Sequence, residues 1–243
     1  MTDKKTKSQD VVPWKEQMAL DAVKVAKQER PASSFISMKG GVMTYQEEHI
    51  KDNKLDCVVL AYVFERTMYD RAYDADDTGP PDCFAQSLTA ETLNPHKNVK
   101  EPVNPTCHGC PKAEFGTAKQ GKGPACKTYR KLMVMPSSAL GEEIGDAEIA
   151  LLRVPPTSVK NWSNYANKIA NTTGVPPWAV QTMISCAPHP KKMFEVSFDL
   201  INPIADEGML AAIHSRIPAA EQSLLTPYTY DDEAAPAEDS DKY

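Results

Sequence analysis

Four cysteines, Cys83, Cys107, Cys110 and Cys126, fall in one stretch otherwise rich in proline, glycine and charge, and two of them form the pair Cys107-His108-Gly109-Cys110. Thiolates at that spacing, joined by two more distant ones, are a donor set for a closed tetrahedral zinc site. The pair supplies adjacent ligands, and the other two pin residues 82–84 and 124–127 onto it. Residues 97–126 contain few apolar side chains and could hardly fold without such a staple. A site closed by four thiolates is structural, not catalytic. An iron–sulfur cluster and unligated cysteines are the alternatives. His108, inside the Cys-x-x-Cys pair, reads as a surface residue. The Lys-rich residues 1–9 have no apolar run behind them, so no secretory leader is expected and disulfides are disfavoured. Cys57 and Cys186 lie in apolar runs and read as core residues.

Around these cysteines the chain interleaves positive charge with aromatic rings. Within residues 107–131, Lys112, Lys119, Lys122, Lys127, Arg130 and Lys131 stand against Glu114 alone, with Phe115 and Tyr129 among them. Cations on phosphates and rings under unstacked bases are what a single-stranded nucleic acid requires. Phe115 could equally fill a small core beneath the cysteine knuckle. A second group, Lys39, Tyr45, Arg66, Tyr69, Arg71 and Tyr73, lies on or near the first expected strands. Tyr62, Phe64 and Trp162 read as core, and Trp178 is undecided between exposed and buried.

Other chemistries find no support. The acids Asp74, Asp76 and Asp77 lack the acid at position 85 that an EF-hand loop would need. Pro81-Asp82 is followed by no acid-x-Lys that would complete a nuclease pattern. The sequence has no P-loop, no GxSxG and no HExxH, so no enzyme is expected. No run approaches the roughly 20 apolar residues of a membrane helix.

The elements that must position these residues follow from periodicity. Trp14, Met18, Ala22, Val25 and Ala26 predict a short amphipathic helix over 14–30, ended by Pro31. Residues 35–38 and 42–45 flank Lys39-Gly40-Gly41 as a hairpin. Residues 55–69 read as a long strand whose end alternates, with Phe64, Arg66 and Met68 on one side and Glu65, Thr67 and Tyr69 on the other. Further strands are expected at 131–135, 147–154, 179–185 and 193–200, the last two around His189-Pro190-Lys191-Lys192. A helix capped by Thr157 or Ser158 carries the stripe Val159, Trp162, Tyr165 or Ala166, and Ile169. A final helical piece over 209–225 is expected to break near Pro218. The expected class is mainly β with helices (α+β), as an OB-like barrel of five to six strands with a zinc-knuckle insertion and flanking helices. An α+β sandwich has the same elements.

The 243 residues, 41% hydrophobic and 25% charged with 20 prolines against 11 glycines, suit a globular body with many rigid connections. The expected organisation is a disordered start and helix over 1–30, a nucleic-acid-binding domain over 31–230 with the zinc insert at about 82–127, and a disordered tail over 231–243. That tail concentrates Asp231, Asp232, Glu233, Glu238, Asp239 and Asp241, closes on Lys242 and Tyr243, and leaves the preceding body near neutral despite a net charge of -6. It could serve solubility, or mimic a nucleic acid over a basic groove and reach out to partner proteins.

Taken together, the barrel pattern, the cysteine knuckle, the basic surface and the acidic tail resemble the single-stranded DNA-binding proteins of tailed bacteriophages. The likeness spans roughly residues 33–243 and is carried by FISMKGGVMTY, CHGCPKAEFGTAKQGKGPACKTYRKLMVMP and LLRVPPTSVKNWSNYANKIA. The resemblance implies a non-enzymatic role in DNA replication, recombination and repair within the cytoplasm of a bacterial host. It implies structural zinc, single-stranded DNA and replication or recombination proteins as partners, the latter through Tyr243 and the tail acids, and no membrane. The chain departs from the T-even pattern of one histidine and three cysteines, and from tails that end in Phe. An accessory protein acting through the tail without DNA, and an RNA-binding protein, are the competing readings.

Overall fold

The computed structural model describes Trp14, Met18 and residues 35–46, 48–70, 79–119, 121–141, 144–228 and 230. The chain divides into two units, Met1–Ser33 and Ser34–Tyr243. In the first, Trp14 and Met18 are helical and exposed. The remainder of the helix expected over 14–30 lies outside the described residues, as do the disordered start, the acids of the 74–77 loop and the tail over 231–243.

In the second unit the strands are β1 (Phe35–Ser37), β2 (Thr44–Tyr45), β3 (Glu48–His49), β4 (Lys54–Met68), β5 (Cys83–Ser87), β6 (Cys126–Pro136), β7 (Ala150–Val154), β8 (Val180–His189) and β9 (Met193–Pro203). The helices are α1 (Val159–Thr173), between β7 and β8, and α2 (Glu207–Leu224) after β9. All nine strands join one mixed sheet in the order β3-β2-β1-β7-β6-β4-β8-β9, with β5 also paired to β4. The β1–β7 pair is parallel and every other pair antiparallel. Among the described residues this unit is thus mainly β with two helices, and its sheet curls into a half-barrel. More strands form than the five or six expected, because β3 and β5 sit in polar or loop-like sequence with no alternation to mark them.

The long strand β4 works on two faces. Cys57 and Val59 join the cluster that contains Trp162, Tyr165 and Ile169 of α1, whereas Val58 and Leu60 join the one that contains Ile213, Ala220 and Leu224 of α2. A bulge between Val59 and Ala61 then reverses the parity, so that Ala61 and Val63 face α2 and Tyr62 faces α1. A bulge bends the strand and raises its twist, which lets one strand line a curled sheet. The near-continuous apolar run of the sequence reflects this cover on both sides. The expected stripe of α1 is observed, with Trp162, Tyr165 and Ile169 buried and Gly174 closing the helix at φ 71. Ser158 is the N-cap residue, but its hydroxyl accepts from the Val196 N–H of β9 at 2.9 Å instead of capping α1. Helix α2 continues through Pro218 where a break was expected. Trp178 is half-buried in the α2 cluster, edge-on to His214 with 5.4 Å between ring centroids.

Coiling brings opposite corners of the sheet together. Strand β1 runs in the direction of β4, so its turn at Lys39–Gly41 leaves from the end of the sheet where β4 finishes; β8 is antiparallel to β4, so the β8–β9 turn leaves from the other end. Yet a Cβ on Gly41 would lie 3.1 Å from Phe194 Cβ, and the Cys186 thiol donates to the Gly41 carbonyl at 3.4 Å. Gly41, at φ 82, is needed both for its backbone conformation and for this close approach.

Candidate functional site

Strands β4, β5 and β6 place two of the four clustered cysteines. Cys83 opens β5, Cys126 opens β6, and both stand opposite Met68 at the end of β4. Cys107 and Cys110 come from the connection between β5 and β6, where Gly109 turns the knuckle at φ 70. All four line one cavity of about 20 Å³, together with Arg66, Phe84, Ala85, Pro95, Asn104 and Thr106. That is room for about one water-sized body. Among the described residues no three or more His, Cys, Asp or Glu side chains are already grouped so as to hold a metal ion. The thiols share a cavity without forming a finished coordination shell.

Arg66 is the cation of this cavity. Its Nη1 donates to the Cys107 carbonyl at 2.6 Å, while its buried Nε has no hydrogen-bond partner. Burial raises the Cys83 and Cys107 thiols and pushes Cys126 up to about 12, with Arg66 pulling the latter two back down. His108 is exposed, as its place in the knuckle implied.

Residues 111–119 and 121–125 belong to a loop braced from within. The Gly116 N–H donates to the carbonyls of Lys122 and Gly123 at 3.0 and 3.2 Å, and the Ala118 N–H donates to Gly123 at 3.1 Å. The Thr117 hydroxyl reaches the Lys112 and Glu114 carbonyls at 3.1 and 2.7 Å and accepts from the Ala125 N–H at 3.0 Å. On this frame Phe115 is 85% exposed, so it does not fill a core beneath the knuckle. Lys112 is half-buried; Lys119, Lys122 and Lys127 are exposed, and Lys119 pairs with Asp70 at 3.2 Å.

The remaining expected contacts divide differently. Lys39 and Tyr69 are exposed, and Tyr45 is half-buried against the α1 cluster. Arg71 and Tyr73 lie outside the described residues. Arg130 and Lys131, expected on a basic surface, are each only 8% exposed. The Arg130 guanidinium lies over the Phe64 ring at 3.8 Å, and Lys131 donates to the Leu224 carbonyl at the end of α2 at 3.0 Å. Tyr129 is covered by Arg153, 3.6 Å from its ring centroid. Tyr129 and Lys131 are consumed in packing on the face that α2 and the segment after it cover, whereas Arg130, which alternates with them on β6, is spent on the opposite face against Phe64.

At the centre of this covered face is Glu65, with no exposed surface. Its carboxylate accepts from Arg153 Nε at 2.6 Å, Tyr228 OH at 3.0 Å and Gln86 Nε2 at 3.1 Å, with Lys131 Nζ at 3.8 Å. Burial works against the charge of Arg153, but Glu65, Tyr228 and Tyr129 together more than offset it, while burial lowers Lys131 and raises Tyr228. Phe84 of β5 packs edge-on to Tyr228 with centroids 5.0 Å apart, and Tyr230 OH donates to the Pro81 carbonyl at 2.6 Å. The start of the C-terminal segment is thereby strapped to the strand that carries Cys83. The only signal for this network in the sequence was an acid in the middle of an apolar strand. No protein-family model, curated protein or solved structure matches this chain.

Proposed function

We propose that the chain is a single-stranded DNA-binding protein that acts without sequence preference, coating exposed strands in phage DNA replication, recombination and repair inside a bacterial host. The observation that carries this reading is Phe115, held 85% exposed on a braced loop among Lys112, Lys119 and Lys122. A ring left in water contributes nothing to the core, and a rigid support means that little ordering remains to be done when a base stacks on it. Lysines beside the ring supply phosphate contacts and the steep salt dependence that follows from counterion release. The curled sheet, the pairing of β4 with both β6 and β8, and the helix between β7 and β8 support an OB-like barrel as the scaffold. The acidic residues 231–243 are the segment that recruits replication or recombination proteins.

Structural zinc is proposed for the cysteine cavity. Its donors would be Cys83, Cys107, Cys110 and Cys126, and Arg66, which lines the same cavity, would offset the charge of four thiolates. Bound there, zinc supplies a cross-link between the strand ends and the loop that carries Phe115, and no chemistry.

The test is the fluorescence anisotropy of labelled oligo(dT) at two salt concentrations, with and without residues 231–243. Tight, salt-sensitive binding that strengthens on tail removal is expected. Absence of binding in both forms, or binding that ignores salt and follows base sequence, overturns the reading.

A further inference from the structure

We infer that the corner where the Lys39–Gly41 turn meets the β8–β9 turn is a second anchoring surface for the single strand; this rests on the DNA-binding reading above. The two turns are about 150 residues apart in sequence and meet only because the sheet coils, with Gly41 packed on Phe194 and bonded to Cys186. The contact brings the turn that carries Lys39 against the hairpin whose tip carries Lys191, Lys192 and Met193. Lys39 and Lys191 are exposed and have no ion-pair partner among the described residues. Lys192 pairs with Glu195 at 2.8 Å and reaches the Thr157 carbonyl at 3.4 Å, which ties the tip to the start of α1.

The tip is also strained. The Phe194 N–H donates to the Lys192 carbonyl at 2.8 Å, closing a three-residue turn centred on Met193 at φ 63. A side chain other than glycine in that conformation costs free energy, and such turns are rare. Here the strain serves no packing, because Met193 is 79% exposed; Val42, which follows Gly41 in the facing turn, is 38% exposed. Two unmatched cations flanking exposed apolar side chains suit a strand whose phosphates meet lysines and whose bases or sugars lie on Met193. The lysine loop around Phe115 and this corner are separate elements, so a strand held by both is longer than one held by either. Anchors of this kind set the length of the site on a barrel, which ranges from about 4 to 16 nucleotides.

Binding of labelled oligo(dT) of about 6 and about 20 nucleotides, to span that range, is compared for the wild-type chain, Lys39→Ala/Lys191→Ala and Met193→Gly. The double variant is expected to bind the long strand about tenfold more weakly, with a salt slope lower by about 1.4 for two lost phosphate contacts on a single strand, and the short strand as before. Met193→Gly relieves the positive φ, so its melting temperature should hold or rise while long-strand binding weakens. That combination separates a contact from a structural role. If the wild-type chain binds long oligo(dT) and the double variant matches it in affinity and salt slope, the corner is not an anchor although the protein binds DNA. If the wild-type chain binds neither length, both readings fall.

Discussion

Replacing Glu65 by alanine strips the one anion from a buried network of Arg153, Lys131, Tyr228 and Gln86. Glu65 is 0% exposed, so water cannot take its place without opening the sheet beneath α2. Removing one member of a buried ion pair leaves its partner charged and unmatched, at a cost of about 3–5 kcal/mol. For a chain of this size each kcal/mol lowers the melting temperature by about 2–4 °C, so a fall of about 6–20 °C is expected. Circular dichroism melts and urea titrations measure it. Two controls frame the result. Tyr228→Phe removes a single hydrogen bond to the carboxylate and should cost about 1.5–3 kcal/mol. Glu195→Ala breaks the surface pair with Lys192 and a hydrogen bond with Asn161, and should shift the melt only slightly. A Glu65→Ala melt within about 2 °C of wild type refutes the argument that this carboxylate holds the covered face together. Because Lys131 belongs to this network, Lys131→Met should lower stability while the folded protein binds oligo(dT) as before; an unchanged melt with weakened binding would return Lys131 to the DNA surface.

Other perturbations separate the remaining roles. Phe115→Ala should weaken oligo(dT) binding by about 1–3 kcal/mol, roughly 5- to 150-fold, with no change in melting temperature, and equal affinity in titration would remove the ring from the interface. Elemental analysis should find one zinc per chain, and chelation or Cys110→Ser should melt the insert and weaken DNA binding while the sheet persists; thermal stability indifferent to the metal contradicts a structural site. His96 stacks on Phe84, accepts from the Asn98 N–H at 3.1 Å through Nδ1, and is held below its ordinary pKa by burial and then by Lys97. The unfolded chain therefore binds this proton more readily, so the stability is complete above about pH 6.5 and is lost as the pH falls beneath it. Melts between pH 7 and pH 5 should decline less for His96→Gln than for wild type, and parallel declines would show that other groups carry the acid sensitivity.

Much of the local structure was legible because it depends on neighbours in sequence. The 3.6-residue spacing of Trp162, Tyr165 and Ile169 gave α1, Gly174 gave its end, and the turn at His189–Lys192 gave the β8–β9 hairpin. The grouping of the four cysteines in one cavity was likewise foreshadowed by their concentration in a segment with little core of its own. Charge was the less reliable guide. Arg130 and Lys131 add to a basic run in the sequence, but their environment is made by Phe64, Glu65 and the end of α2, as far as 93 residues away. Phe115 and Phe84 are the same residue type in the same loop-rich region, yet one is 85% exposed and the other 1%. The difference is a set of tertiary partners, His96, Tyr228 and Tyr230, around Phe84 alone.

By itself, then, the sequence determined most of the strands and the stripe of α1, though not β3, β5 or the unbroken course of α2, together with which cysteines cluster and that positive charge stands near them, because period, turn chemistry and composition act over a few residues. The tertiary structure decided which charges are spent on packing and which face water. The meeting of the Lys39–Gly41 turn with the β8–β9 hairpin was also its decision, since it depends on the coiling of a nine-stranded sheet and on a glycine at position 41 close enough to touch Phe194. Burial and coiling are properties of the whole sheet, and no window of sequence contains them.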